Sequence, residues 1–515
     1  MTEDPGLVKV SDQNFRPEPE RHPRFASPIY PGQMTDTAQG HGKLHAFRDD
    51  ALGTDDATGI ADRIRSGDLH PAEAMQAALD RIAAVEPTLG ALAHSDFDRA
   101  LERARALGDR MGDGTELPVF AGVPGAFKDN VAVAGNPTTM GSDAVNAVPA
   151  AADGIVATEL GATGMISVGM TNTPPFGWTA ATERQGGRVT RNPWHTGRTS
   201  GGSSGGSSAL VASGALPLAH ANDGGGSVRI PAAVTGLVGF KPSQGRHSHE
   251  PYSSTMPIPI VSQSVVTRSV RDTVTFWTAF EAARPPVKVP AIGTVAPAPS
   301  RRLRIGVVEQ SPAGGPTDAA TLATLHLAAE RLSQLGHHVD LMEAPVPASF
   351  EDDFKDYWGL LALATSLQGS SLFGEGFDAS SLDAFTSGLA AGAKKRLLRL
   401  PVALARLARA RRKHDEMFGR YDLILNPVVN HETPEVGYLD ADQDFAQHLE
   451  RVANWVTFTP AQNVAGSPAI SLPAGSAPDG MPIGVQLSAR IGHDRTLLEI
   501  ASEYEAAYPF ARIWD

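Results

Sequence analysis

Two short stretches of this chain constrain its folding more than any other feature. They are Thr199-Ser200-Gly201-Gly202-Ser203-Ser204-Gly205-Gly206-Ser207-Ser208 and Asn222-Asp223-Gly224-Gly225-Gly226-Ser227-Val228-Arg229-Ile230-Pro231. Glycine loses more backbone freedom on folding than any other residue, so dense glycine implies unusual φ/ψ or close approach to a ligand. Free linkers do not fit, because apolar residues bound both clusters directly: Ala209, Leu210 and Val211 follow the first, and Val228 and Ile230 stand within the second. Both clusters belong to a folded body.

What such a turn does can be narrowed by chemistry. A phosphate loop ends in Gly-Lys-Ser/Thr, and neither cluster holds a lysine. A dinucleotide fingerprint needs its G-x-G-x-x-G in a βαβ unit with an acidic residue about 20 positions on. Nucleophilic catalysis remains. A serine after consecutive glycines can attack a carbonyl while backbone N–H groups face the developing oxyanion, and Ser227 follows Gly224, Gly225 and Gly226. Its hydroxyl needs a base. His220 is nearest in sequence, on the run leading into the turn, where a packed role suits it better. Lys128 lies in the stretch 125–130, straight after the strand-like apolar run 119–123, and would serve if burial kept it neutral. A lone lysine is more often a surface residue, so the residues alone leave the base open. The G-x-S-x-G elbow of α/β-hydrolases is absent around Ser227.

Around these clusters, residues 117–240 alternate short apolar runs with glycine-rich turns and helical stretches, an α/β pattern. Ile60, Ile64 and Leu69 lie on one helical stripe. A second helix opens at Pro71, where the missing N–H costs nothing, and keeps its period to Pro87. Residues 95–111 give a third. After the proline-rich stretch 284–299, strands are expected at 303–308, 338–341, 423–425 and 469–472, a helix at 319–335, and mostly helix over 350–420. Residues 1–55 read as an extended polar arm, a tail or a wrap around a partner subunit such as a second copy in a homodimer.

Composition removes whole classes. With no cysteine among 515 residues, disulfides, Cys-ligated zinc, iron–sulfur clusters and thiol nucleophiles are excluded. A net charge of −13 disfavours nucleic acid and anionic membrane as global partners. No run approaches the roughly 20 apolar residues of a membrane span, and residues 1–31 carry no signal-peptide core, so a cytoplasmic location is expected. Residues 247–250, His-Ser-His-Glu, do not match a helical H-E-x-x-H metal site, and no metal is expected.

Phe127-Lys128-Asp129, the 201–206 Gly-Gly-Ser-Ser-Gly-Gly run and the 223–229 Asp-Gly-Gly-Gly-Ser-Val-Arg run resemble the amidase signature family of serine hydrolases. Lys128 and Ser203 are 75 positions apart and Ser203 and Ser227 are 24 apart, as in that family's pattern. The runs 236–243, 171–174, 463–470 and 480–486 extend the resemblance over roughly residues 56–510. It implies an α/β fold with a large mixed sheet covered on both faces by helices. That fold would be a single domain over 56–515, with its core at 117–245 and a variable helical pocket region at 350–420. It also implies a Ser–cisSer–Lys triad of Ser227 as acyl nucleophile, Ser203 as relay on a cis bond after Gly202, and Lys128 as base. The N–H groups of Gly224, Gly225 and Gly226 would form the oxyanion hole with Ser227's own N–H, and Ser204, Asp223 and Arg229 would support it. No cofactor is required, and the partner is a small-molecule amide or carbamate.

The Asn222-Asp223 pair departs from the Gly-Thr-Asp that members often carry. Together with His220 it resembles the branch that contains 6-aminohexanoate cyclic-dimer hydrolase. Substrate-binding candidates are Asn172, Phe176, Trp178, Gly202, Asn222 and Trp358. Alternatives are the glutaminase subunit of a tRNA-dependent amidotransferase, against which the Asn-Asp departure and the arm argue, and a carbamate-specific urethanase. A basic run, 394–413, is helical and broken near Pro401. It reads as a solvated helix face, or as a surface that meets a membrane or an anionic partner.

Overall fold

Strand Leu218–Asp223 carries no exposed residue, and neither do Ser262–Thr267 and Pro482–Ala489. Successive side chains of a strand point to opposite faces, so burial at every position means both faces are covered. These strands belong to an eight-stranded mixed sheet. Its order is His338–Leu341, Arg304–Val307, Leu423–Pro427, Pro482–Ala489, Ala469–Ser476, Val238–Lys241, Ser262–Thr267, Leu218–Asp223. Arg304–Val307 runs parallel to both its neighbours, and the remaining pairs are antiparallel. Helices Arg229–Thr235, Val270–Ala283, Ala319–Gln334 and Asp494–Ala507 pack on the sheet. A three-stranded sheet, Leu92–Ser95, Ile166–Thr171 and Pro124–Lys128, lies against the Leu218–Asp223 edge.

This computed structural model describes Met1 and residues 41–111, 116–311, 315–344 and 346–515. Most of the expected arm, residues 2–40, lies outside the described residues. His41–Asp515 forms one compact unit. The described end of the arm is packed: Leu52 is buried, Arg81 donates to the carbonyls of Gly53 and Gly214, and the Phe47 ring occupies the space a side chain at Gly214 would need.

Helix Ala57–Ser66 ends on Gly67 at φ +84°, and helix Pro71–Leu89 starts at the expected proline. The second helix runs past Pro87 and closes on Gly90 at φ +60°. Proline removes one hydrogen bond there, but Leu89 is fully buried and its packing carries the last turn. The run 119–123 forms turns, and the strand begins one residue later at Pro124. Among the described residues no helix is long and apolar enough to cross a membrane.

Candidate active site

Lys128 is the last residue of strand Pro124–Lys128 and has no exposed surface. Its Nζ lies 2.7 Å from Ser203 Oγ, 3.1 Å from Ser204 Oγ and 2.6 Å from Asn222 Oδ1. Burial pushes its pKa down to about 7, against the opposing pull of the Asp223 and Asp129 carboxylates. Ser203 and Ser204 form the bend before helix Gly205–Ala212, and the Gly202–Ser203 peptide is cis. Asn222 and Asp223 end strand Leu218–Asp223, so a strand terminus, a helix entry and a second strand terminus converge on one amine.

The turn from Asp223 to helix Arg229–Thr235 is pinned from within. Asp223 accepts hydrogen bonds from the backbone N–H groups of Gly226 (2.7 Å) and Val228 (3.2 Å). Arg229 donates to it twice, at 2.8 Å through both Nε and Nη2, and both residues are fully buried. Burial alone would raise the Asp223 pKa, but Arg229 and Asn463 hold the carboxyl far below its ordinary range. Thr459 Oγ1 donates to the Gly225 carbonyl at 2.6 Å. Ser227 is partly exposed at the end of this turn and faces a cavity of about 390 Å³.

Gly202, Ser203, Asn222, Gly224, Gly225 and Ser227 form the polar end of that cavity. Phe176, Trp178, Phe354, Trp358 and Phe373 are among the aromatics on its walls. A concave, largely apolar site with a few convergent polar groups is the usual form of a small-molecule pocket. A model of the family described as Amidase matches residues 73–498. The chain belongs to the amidase family. It is an enzyme that hydrolyses amide C–N bonds other than peptide bonds.

The relatives of this amidase agree over nearly its whole length. A Mycobacterium tuberculosis protein named "Putative amidase AmiC" is 47% identical over 472 residues, spanning 92% of this chain and 98% of the relative. The 6-aminohexanoate-cyclic-dimer hydrolase of Paenarthrobacter ureafaciens is 32% identical over 482 residues, 88% of this chain and 95% of the relative. A solved structure of 6-aminohexanoate cyclic dimer hydrolase superposes with a TM-score of 0.79 at 30% identity, covering 91% of this chain and 100% of that one.

Most of the expected site residues meet in this cavity of the amidase, and two do not act as expected. Asn172 is not among the lining residues. Its side chain bonds to the Thr173 N–H, Gly90 carbonyl and Thr190 hydroxyl, so it braces the chain behind the site. Gly226 was expected to offer its N–H to an oxyanion, but Asp223 already takes it. Gly226 is glycine for another reason: at φ +130° its Cβ would lie 2.3 Å from Thr459 Oγ1. The N–H groups of Gly224, Gly225 and Ser227 have no protein acceptor among the described residues. His220 is buried behind Lys128, its Nδ1 accepting the Lys128 N–H at 3.2 Å, and burial pushes its pKa down to about 4. It does not line the cavity.

Three supporting residues escaped the sequence. Arg229 also donates to Asn463 Oδ1 and Gln486 Oε1, both at 2.6 Å, and Asn463 Nδ2 donates to the Asp223 carbonyl at 2.8 Å. Asn463 and Gln486 stood in recognised runs without an assigned task, and nothing local singles out Thr459.

Proposed function

We propose that this amidase hydrolyses neutral amides bearing a bulky apolar group, through an acyl-enzyme on Ser227. The observation that carries the reading is the wholly buried Lys128 amine 2.7 Å from Ser203 Oγ, beside a cavity that Ser203 and Ser227 both line. A neutral amine has two N–H bonds and one lone pair. Asn222 Oδ1 and Ser204 Oγ take the two N–H bonds, which turns the lone pair toward the Ser203 hydroxyl. When Ser227 Oγ attacks the carbonyl carbon, its proton passes to Ser203 Oγ and the Ser203 proton passes to Lys128. The resulting ammonium then has three N–H bonds and three oxygens to receive them. The oxyanion is held by the unengaged N–H groups of Gly224, Gly225 and Ser227. The relay returns a proton to the departing amine, and water then cleaves the ester by the same path.

The walls support the substrate class. Glutamine would bring an ammonium and a carboxylate, and buried charges require counter-charges. Among the described lining residues the charged side chains are Glu351 and Lys355, which pair with each other. That weighs against the glutaminase reading. Carbamates present the same carbonyl to Ser227 and belong to the same test.

The test is a panel of primary amides, anilides, linear and cyclic 6-aminohexanoate oligomers, aryl carbamates and glutamine, given to the wild type and Ser227→Ala. The expected result is turnover of anilides or other bulky neutral members that disappears in Ser227→Ala. A preference for glutamine, or turnover that survives in Ser227→Ala, overturns the reading.

A further inference from the structure

The basic run 394–413 plays no part in the chemistry above, yet it is the most charge-segregated stretch of the molecule. It carries nine lysines and arginines in a chain of net charge −13, and no acidic residue falls between Asp383 and Asp415. The run comprises the end of helix Ala384–Lys395, a 3-10 turn Leu397–Arg399 and most of helix Leu400–Met417, with Pro401 in that helix's first turn.

The cations divide into two sets. Arg396 and Arg399 reach Asp356 at 3.0 and 3.7 Å, and Arg406 reaches Asp353 at 3.5 Å. Both acids are buried on helix Phe350–Phe373, so these arginines are tied down to the body. Lys394, Lys395, Arg409, Arg411, Arg412 and Lys413 are exposed and have no ion-pair partner among the described residues. Nearby, Asp415 is occupied by Arg490, and Glu416 is exposed at the far end.

Amid these charges stands an apolar tip. Leu398 is 96% exposed, Val402 one turn later 51%, and Leu397 49%. The opposite side of the same helix buries Leu400, Ala403, Leu407 and Ala410. Leu407 and Ala410 pack in one cluster with Leu361 and the Phe354 ring, both of which line the substrate cavity. A helix with leucines at its tip, cations beside them and a buried inner face has the make-up of an interfacial segment.

From these observations we infer that the 394–413 surface docks on an anionic lipid bilayer. Leu397, Leu398 and Val402 enter the interface, and the unpaired lysines and arginines face lipid phosphates. Charge decides among occupants. A second copy meeting this face symmetrically would set like charges against each other. A nucleic acid would satisfy the cations but leave the leucines in water.

The experiment is flotation of the full-length protein with phosphatidylcholine vesicles and with phosphatidylglycerol-rich vesicles, at low salt and at about 0.15 M. Binding is expected to the phosphatidylglycerol-rich vesicles and to weaken with salt. Lys394→Gln/Lys395→Gln/Arg409→Gln/Arg412→Gln should lower it by about tenfold or more, and Leu398→Ser/Val402→Ser should lower it as well. Hydrolysis of a water-soluble amide should be unchanged in both variants, which reports that they fold. No binding to either vesicle, or binding that neither variant changes, overturns the inference. So does a finding that the surface instead binds duplex DNA, or that the protein dimerises through Leu398 without binding vesicles.

Discussion

The two ends of the cavity are built on opposite principles. At the polar end the charged groups are fully partnered: Lys128 has three hydrogen-bond partners, and the Asp223 carboxylate serves two backbone N–H groups, Arg229 and Asn463. At the far end the walls are aromatic rings from the 176–178 loop and helix Phe350–Phe373, in contact with one another but joined by few directional bonds. A buried polar network is costly to leave half-satisfied, whereas an apolar wall tolerates changes of shape. On the proposed mechanism, chemistry is therefore fixed at one end and substrate choice is adjustable at the other.

Lys128→Met tests the fixed end most severely. It removes the proposed base and leaves an apolar side chain of similar length. The expected loss in kcat is about 10³-fold or more. Near-normal turnover would show that Lys128 is not the base.

Arg229→Leu should cost about 3–5 kcal/mol, since it strands the Asp223 carboxylate in the interior. Denaturant unfolding measures this. A cost under about 1 kcal/mol would mean that the turn is held by its backbone bonds alone.

Asn222→Asp sharpens the account of the base. In the proposed mechanism Lys128 acts in its neutral form, so activity should be lost as pH falls through about 7. A carboxylate beside Nζ favours the ammonium and should move that loss to higher pH by about one unit or more. A profile that stays in place would separate the titration from Lys128.

At the adjustable end, Trp358→Ala should raise KM for bulky anilides by roughly tenfold, the value of a few buried apolar contacts. Turnover of a short primary amide should change far less. Equal losses on both substrates would erase the distinction between the two ends.

The legible part of the site was the part encoded locally. Ser227 and its glycine turn stand in a short run whose chemistry can be argued residue by residue, whereas Lys128 and Ser203 drew their expected roles from the family resemblance of the runs around them. Element order was equally readable, with strand His338–Leu341 and helix Ala319–Gln334 falling where hydrophobic periodicity placed them. The glycine turn was less so. Gly224, Gly225 and Gly226 look alike in sequence, yet a Cβ on either of the first two would make only ordinary contact, 3.7 Å from Val261 or Phe354, while the third is locked to Asp223 and crowded by Thr459. Asn172 failed for a similar reason: its side chain points into a hydrogen-bonded junction with Gly90 and Thr190.

By itself, then, the sequence determined the order of its elements and singled out Ser227 in its glycine turn, because side-chain chemistry and backbone propensity act over a few residues, while the roles of Lys128 and Ser203 came from the family resemblance. The tertiary structure decided which partners those groups would have. Arg229 meets Asn463 across 234 positions, and Lys128 meets Asn222 across 94. Such contacts exist because the strand order of the sheet brings distant strand ends together, and burial there lowers the pKa of Lys128 to about 7, as its proposed role as base requires.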